Sequence, residues 1–258
     1  MSKSKVPPQE NQNKAPLAEM SVWQHVGELR KRLFRCLIAM VVTIIISFLF
    51  GEQLIEFIAQ PIGGIDKLVS IEVTENVSVF MRVTLLSGFI LALPFILYQL
   101  VGFILPGLTP KEKRGVLIAI PFATVLFVAG VSFAYFIMLP AALPFLISFI
   151  GITTTPRLAN YFAFVTNLMF WIGLSFEIPL VVYVLAKLHL VTASGLAKQW
   201  RIAIVVIAII SAFATPTPDP INMSLLMIPL SLLFLLSILL AWLANRGENK
   251  AEQTATES

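Results

Sequence analysis

The chain has 258 residues, of which 58% are hydrophobic and only 12% are charged, and its mean hydropathy is +0.90. Soluble domains carry about 25% charged residues, so this composition excludes a soluble globular domain and predicts an all-α polytopic membrane protein. The net charge of +4 does not indicate nucleic-acid binding, because the basic residues cluster beside apolar runs. With one cysteine and two histidines that form no ligand set, we expect no disulfide, metal or cofactor.

The two ends of the chain differ from the apolar stretch between them. Residues 1–20 lack the apolar core of a signal peptide and contain almost nothing to bury, so we expect a disordered cytoplasmic tail there. Residues 245–258 have the same polar composition and predict a second disordered tail. The membrane domain is therefore expected to occupy residues 21–244.

A basic amphipathic helix is predicted at residues 23–35, directly before the first long apolar run. Apolar side chains recur there at helical spacing, and Ser21 with Gln24 matches the pattern of a capping box. Glu28 is the one acid in this stretch, and its basic neighbours are Arg30, Lys31, Arg32 and Arg35. A helix of this kind lies at the membrane surface, and its basic residues keep the N-terminus in the cytoplasm.

Six membrane spans are predicted. The apolar run at residues 115–152 is long enough for two crossings, but two would put Lys187, Lys198 and Arg201 outside, so one crossing is favoured. Residues 202–214 would extend only roughly 20 Å at ~1.5 Å per residue, which is short of a ~30 Å hydrocarbon core. The predicted spans are residues 33–50, 82–103, a third that begins near residue 110, 158–188, 202–214 and 221–244.

The loops alternate in charge, which sets the orientation of the spans. The loop at residues 51–79 is acidic and contains a turn at Pro61, whereas residues 105–114 form a basic loop. With both tails in the cytoplasm, nearly all basic residues lie inside, as the positive-inside rule requires. The exceptions are Lys67, Arg82 and Arg157. We therefore expect a multi-pass protein with cytoplasmic N- and C-termini.

Two acids lie at the predicted cytoplasmic surface. Glu28 is spaced to pair with Arg32 at i+4 on the helix, which is a weak interaction of about 0.3–0.5 kcal/mol. Glu112 follows Thr109 and Pro110 at the position where a capping box places glutamate, so helix capping explains it from the pattern alone. The alternative for both acids is that they bind a cationic ligand at the membrane surface, and capping does not exclude such a contact.

Glu177 lies within the predicted fourth span, two residues before Pro179. An ionised acid in an apolar span is costly and usually functional, so Glu177 is a candidate intramembrane site. The alternative is a structural hydrogen bond. Asp219 is most simply the N-cap of the last span, and Arg82 is interpreted as an anchor at the membrane interface.

Several motifs occur in the order and topology of one known family. They are HVGELRKRL before the first span, LPFILYQLVGFILPGLTPKEKR from Leu93, FAYFIMLP from Phe133, NYFAFVTNLMFWIGLSFEIP from Asn160 and TPTPDP before the last span. Over residues 22–242 the chain resembles TatC, the core subunit of the twin-arginine protein translocase. The resemblance implies a glove-shaped, six-span protein of the cell membrane, with short fifth and sixth spans and cytoplasmic termini.

The resemblance also implies a function without enzymatic activity, cofactor or nucleic acid. Members of the family bind twin-arginine signal peptides on folded cargo within an oligomeric receptor complex. They then recruit single-span TatA-type partners, with TatB-type partners in some systems, for export driven by the proton-motive force. The family's signal-peptide residues correspond to Glu28, Glu112, Arg30 and Phe103. Its intramembrane acid corresponds to Glu177, and its structural or assembly residues correspond to Pro61 and Asp219.

The residues alone leave two other classes of function open. A proton-coupled transporter of small solutes would use Glu177 as its proton site, but the sequence has no internal repeat of the kind that many such carriers have. An intramembrane enzyme has less support, because residues 173–175 lack the second glycine of a nucleophile elbow. Co-purification of single-span partners would distinguish a receptor from a carrier.

Overall fold

The computed structural model describes the backbone of residues 22–105, 110–147, 155–214 and 220–256, and the side chains of most of them. This part of the chain is helical and has no β-strand, only an isolated bridge between Val69 and Arg157. The prediction of an all-α membrane protein is confirmed. The α-helices are α1 Val22–Leu49, α2 Gly51–Ala59, α3 Glu75–Ile104, α4 Pro110–Phe133, α5 Leu139–Ile147, α6 Leu158–Ser175, α7 Ile178–Lys187, α8 Ala193–Lys198, α9 Trp200–Ala214 and α10 Pro220–Thr256.

Five helical segments of the described residues are long and apolar enough to cross a membrane. They are Val26–Leu49, Glu75–Ile104, Lys113–Pro144, Leu158–Lys187 and Leu226–Ala244. Helix α9 is also apolar but shorter, and its 15 residues extend roughly 22 Å at ~1.5 Å per residue. The sequence counts α9 as the short fifth span, so the total of six spans stays a prediction.

The bundle has two ends, which we define by the helices that meet there. The inner end carries the N-terminus of α1 and the C-terminus of α3, and the outer end carries α2 and the N-terminus of α6. Tyr135, just after α4, donates to the carbonyl of Phe57 in α2 at 2.5 Å, so α4 ends at the outer end. Lys187 of α7 donates to the carbonyl of Ala244 in α10 at 2.5 Å, so these two helices run side by side. Successive spans alternate in direction, as a multi-pass chain requires.

Helix α1 continues from the basic segment into the apolar one without a break. It packs mainly on α3 and leaves most of its apolar surface exposed. Gly88 of α3 allows the close approach, because a Cβ there would lie 2.8 Å from the Cα of Ile44. The hydroxyl of Thr43 donates to the carbonyl of Gly88 at 2.8 Å. Small residues and interhelical hydrogen bonds of this kind hold helices together in a membrane.

The core is centred on α6, which packs against α3 and α4. Its buried face includes Tyr161, Phe162, Val165, Leu168, Met169 and Ile172. A second apolar cluster joins the inner halves of α3, α4 and α7. These contacts hold α3 and α4 in fixed positions, and the inner ends of both helices carry residues of the predicted site.

The fourth predicted span is divided into two helices. Helix α6 ends at Ser175 and α7 begins at Ile178, with Glu177 at the N-cap position and Pro179 in the first turn of α7. Proline cannot donate a backbone hydrogen bond and suits the first turn of a helix, so it favours a new start here. The predicted fourth span at residues 158–188 is present as one candidate membrane-spanning segment, Leu158–Lys187, which contains this helix break.

The long apolar run at residues 115–152 begins as one continuous helical segment. After α4 the chain forms a π turn at Ala134–Met138 and then continues directly as α5. Pro140 lacks the backbone N–H that donates a hydrogen bond in an α-helix, and the π turn lies just before it. A single segment supports the single crossing that the sequence favours.

Helix α10 continues beyond the predicted last span and ends at Thr256. The sequence predicts a disordered tail from residue 245, whereas the structure has helix through residues 245–256. Six of these twelve residues are alanine, glutamate, lysine or glutamine, which are good helix formers. The predicted tail at residues 1–20 and the capping serine, Ser21, lie outside the described residues.

Candidate functional site

Glu28 lies on α1 one turn before Arg32, and the two form an ion pair at the inner end. Arg32 donates to Oε1 of Glu28 from Nη2 at 2.6 Å and from Nε at 3.0 Å. The side chains of Arg32 and Glu28 are 21% and 23% exposed, so the pair is shielded but still reachable from solvent. The i+4 pair that the sequence offered as the simpler interpretation is therefore present.

Helix α3 holds the other side of the Arg32 guanidinium. Nη1 of Arg32 donates to Oε1 of the buried Gln99 at 3.5 Å. Gly102, one turn further along α3, leaves room for the guanidinium, which would collide with a Cβ at that position. Both bonds from Arg32 to Glu28 end on Oε1. Arg32 therefore fixes the carboxylate and leaves Oε2 to a second donor.

Three further predicted site residues belong to the same end of the bundle. Arg30 is exposed on α1, and Phe103 is half-buried in the last turn of α3, next to Gly102. The backbone of Glu112 lies in the first turn of α4, which begins a few residues after α3 ends. The side chain of Glu112 is outside the described part of the structure, so both its capping role and its distance from Glu28 stay predictions.

Glu177 lies at the turn between α6 and α7, within the membrane-spanning segment, and is 5% exposed. Neither of its carboxylate oxygens has a hydrogen-bond partner among the described residues. The next residue back, Phe176, packs on Gly130 of α4 and lies 6.1 Å from the ring of Phe133. The turn is thus fixed against α4. A buried carboxyl without a partner is unusual, because leaving it unpaired costs free energy.

Pro61, one of the two predicted structural residues, belongs to the outer end of the fold. Pro61 lies in a turn of 3-10 helix directly after α2, and Gly63 follows with a φ of 95°, a left-handed conformation that glycine adopts without strain. The hydroxyl of Tyr161 donates to the carbonyl of Ile58 at 2.8 Å, which ties the end of α2 to α6. Asp219 lies outside the described residues, so its role as an N-cap stays a prediction.

The sequence interpretation missed the role of Glu75, the first residue of α3. Its side chain is 2% exposed and accepts hydrogen bonds from the amides of Ile71 at 3.3 Å, Glu72 at 3.1 Å and Ala159 at 3.4 Å. Nε of Arg157 donates to the same carboxylate at 2.5 Å, and Nη2 of Arg157 pairs with Glu72 at 2.6 Å. The hydrogen bonds that Arg157 donates to Glu72 and Glu75 hold the pKa of its guanidinium above its ordinary value.

This ion-pair cluster joins two outer segments that are distant in the sequence. The amide of Val69 donates to the carbonyl of Pro156 at 3.1 Å, and the amide of Leu158 donates to the carbonyl of Val69 at 2.9 Å. One sequence signal was available, since Arg157 is one of the few basic residues expected outside, in the half of the protein where acids prevail. Its partner could not be chosen from that signal alone.

The described residues contain no group of three or more histidines, cysteines or acids that could hold a metal ion. The fold and the site define a multi-pass, all-helical membrane protein with a carboxylate–guanidinium cluster at one membrane surface. A family model described as "Sec-independent protein translocase protein (TatC)" matches residues 24–229. This match covers most of the chain, including Glu28, Glu112 and Glu177.

Individual relatives agree with the family model. A Sec-independent protein translocase protein TatC from Carboxydothermus hydrogenoformans is 37% identical over 225 residues, which cover 86% of this chain and 93% of the relative. Another TatC protein, from Synechocystis sp., is 38% identical over 211 residues, which cover 81% of this chain and 82% of the relative.

The three-dimensional structure points to the same family. It is similar to a crystal structure of the twin arginine translocase receptor TatC in DDM, with a TM-score of 0.77 and 36% identity, over 84% of this chain and 99% of that one. The chain belongs to the TatC family of Sec-independent protein translocase proteins. The family consists of translocase components rather than enzymes, and the resemblance found in the sequence motifs is confirmed.

Proposed function

We propose that this chain is the receptor subunit of a twin-arginine protein translocase in the cytoplasmic membrane, with both termini in the cytoplasm. Its ligand is the twin-arginine signal peptide of a folded protein. The observation that carries the proposal is the Glu28 carboxylate, which Arg32 holds on a basic helix and which stays partly open to solvent. The solved structures that resemble this chain are described as a twin arginine translocase receptor, which supports the same assignment.

Glu28 matches a guanidinium ligand in both charge and shape. A carboxylate forms strong, charge-assisted hydrogen bonds with guanidinium donors, and Arg32 already makes two of them to Oε1. In the proposed complex, one signal arginine binds Oε2 of Glu28 and the other binds Glu112 at the start of α4. Phe103 offers an aromatic surface for a guanidinium plane. Arg30 restricts the position of the cationic ligand, because like charges repel.

Glu177 is proposed as the contact for a partner span. It is buried at membrane depth and has no hydrogen-bond partner among the described residues, and a polar group in that position gains from a partner helix. We assign this contact to a single-span TatA-type protein, or to a TatB-type protein where one exists. The receptor complex contains several copies of the chain, with Pro61 and Asp219 shaping the outer end for assembly. Transport is driven by the proton-motive force.

Binding of a twin-arginine peptide tests the proposal. Glu28→Gln and Glu112→Gln each remove one charge and should each weaken binding by roughly tenfold, since a charge-assisted hydrogen bond contributes about 1.5–3 kcal/mol before it is reduced by solvent. Glu56→Gln is the matched control, because Glu56 is an exposed acid on α2 at the opposite end of the bundle. It should bind the peptide normally.

Glu112→Ala separates recognition from helix capping. Glutamine also serves a capping box, so if capping alone mattered, Glu112→Gln would bind normally and only Glu112→Ala would lose binding and thermal stability. If the charge matters, both variants should lose binding while the fold survives. Full binding by a well-folded double variant, Glu28→Gln with Glu112→Gln, overturns the recognition role.

A further inference from the structure

A groove along the inner half of α1 lies beside the recognition site and shares Arg30 with it. Its volume is about 940 Å³, which is near the upper end of the range of about 300–1,000 Å³ for ligand pockets. The walls are apolar, with Leu33, Phe34, Leu37 and Met40 from α1 and Ile96 from α3. The groove therefore suits a ligand with a substantial apolar part.

Two exposed cations, Arg30 and Lys31, lie at the inner end of this groove. Neither forms an ion pair with an acid of the described residues, whereas the neighbouring Arg32 is neutralised by Glu28. A cationic signal sequence would be repelled by this pair of charges. The same two positive charges would attract an anionic group.

The groove also has the depth of one leaflet. From Lys31 to Met40, α1 rises about 14 Å at ~1.5 Å per residue. Half of a ~30 Å hydrocarbon core is about 15 Å. The cations thus lie at the membrane surface while the apolar walls reach towards the bilayer centre, which is the arrangement of headgroup and acyl chains in a phospholipid.

We propose that this groove binds an anionic phospholipid from the leaflet at the inner end. Its phosphate lies between Arg30 and Lys31, where guanidinium and ammonium groups donate charge-assisted hydrogen bonds, and its acyl chains lie along Leu37 and Met40. The bound phosphate lowers the positive charge close to Glu28 and thereby reduces the repulsion that a cationic ligand meets there. The proposal goes beyond the proposed function, because lipid binding requires no signal peptide.

The chain's one cysteine, Cys36, lies in the groove wall and reports its occupancy. In detergent, added phosphatidylglycerol should slow the alkylation of Cys36 by a small apolar maleimide, and phosphatidylcholine should do so far less. In the double variant Arg30→Gln with Lys31→Gln, half-maximal protection should need on the order of tenfold more phosphatidylglycerol. Each variant is compared with itself without lipid, because nearby charge also changes thiol reactivity.

A matched variant separates this site from general attraction between the basic surface and anionic lipid. Lys198→Gln with Arg201→Gln also removes two exposed positive charges, at residues that do not line the groove. This variant should keep the wild-type protection of Cys36. Equal protection by the two lipids, or equal loss in both double variants, overturns the proposal. So does protection by a signal peptide with none by phosphatidylglycerol, since the groove would then be the peptide's.

Discussion

Replacement of Gly88 by alanine tests the contact that holds α1 on α3. The new Cβ would lie 2.8 Å from the Cα of Ile44 and 2.9 Å from its backbone nitrogen. Carbon atoms in contact are normally about 3.5–4.0 Å apart, so α1 must move away by at least about 0.7 Å. The hydrogen bond from Thr43 to the carbonyl of Gly88, now 2.8 Å long, would lengthen to about 3.5 Å, beyond the usual range.

The expected loss of stability follows from these two effects. Overpacking costs about 1–3 kcal/mol, and the weakened hydrogen bond adds about 1 kcal/mol, for a total of about 2–4 kcal/mol. Alanine also favours a helix over glycine by about 1 kcal/mol, which offsets part of this loss. Gly27→Ala is the matched control, since its Cβ meets nothing within 4 Å. The difference in unfolding free energy between the two variants therefore isolates the helix–helix contact.

Thermal unfolding of both variants in the same detergent measures that difference. Gly88→Ala should unfold at least about 4 °C below Gly27→Ala, at about 2–4 °C per kcal/mol for a chain of this size. It should also bind the signal peptide more weakly, because Arg32, which positions Glu28, is held by Gln99 of α3. Equal unfolding temperatures together with unchanged peptide binding would refute the reasoning.

Three further predictions concern the outer end, the intramembrane acid and the topology. Arg157→Gln should speed hydrogen exchange at the backbone bridge between Val69 and residues 156–158. Arg82→Gln, at an exposed arginine for which the described residues show no such ion pairs, should leave that exchange unchanged. Equal exchange in the two variants would show that the ion pairs do not support the bridge. Glu177→Gln should transport better than Glu177→Ala, because the amide can still bond a partner span, and near-normal transport by both would contradict a partner contact. In a cysteine-free background, a cysteine at Thr155 should label only from outside and one at Lys198 only from inside; outside labelling at Lys198 would mean that residues 115–152 cross twice.

Some features of the fold and site could be predicted because they depend on residues close together in the chain. The i+4 spacing placed Glu28 and Arg32 on one helix face, and the structure contains that ion pair. The lengths of the apolar runs predicted the long spans and the short α9. The helix break at Pro179 was locally encoded too, because proline cannot donate a backbone hydrogen bond, and it lies within the single predicted fourth span.

Only the tertiary structure decided which faces of these helices meet. The bond from Arg157 to Glu75 joins residues 82 positions apart, and the contact of Gly88 with Ile44 joins different spans. The absence of a described partner for Glu177 likewise depends on how neighbouring helices pack around it. In a soluble helix the polar face marks the side that meets water, and the apolar face marks the core. In a membrane span the lipid-facing and buried sides are both apolar, so the sequence determines which segments cross while shape, small residues and buried charges determine how they assemble.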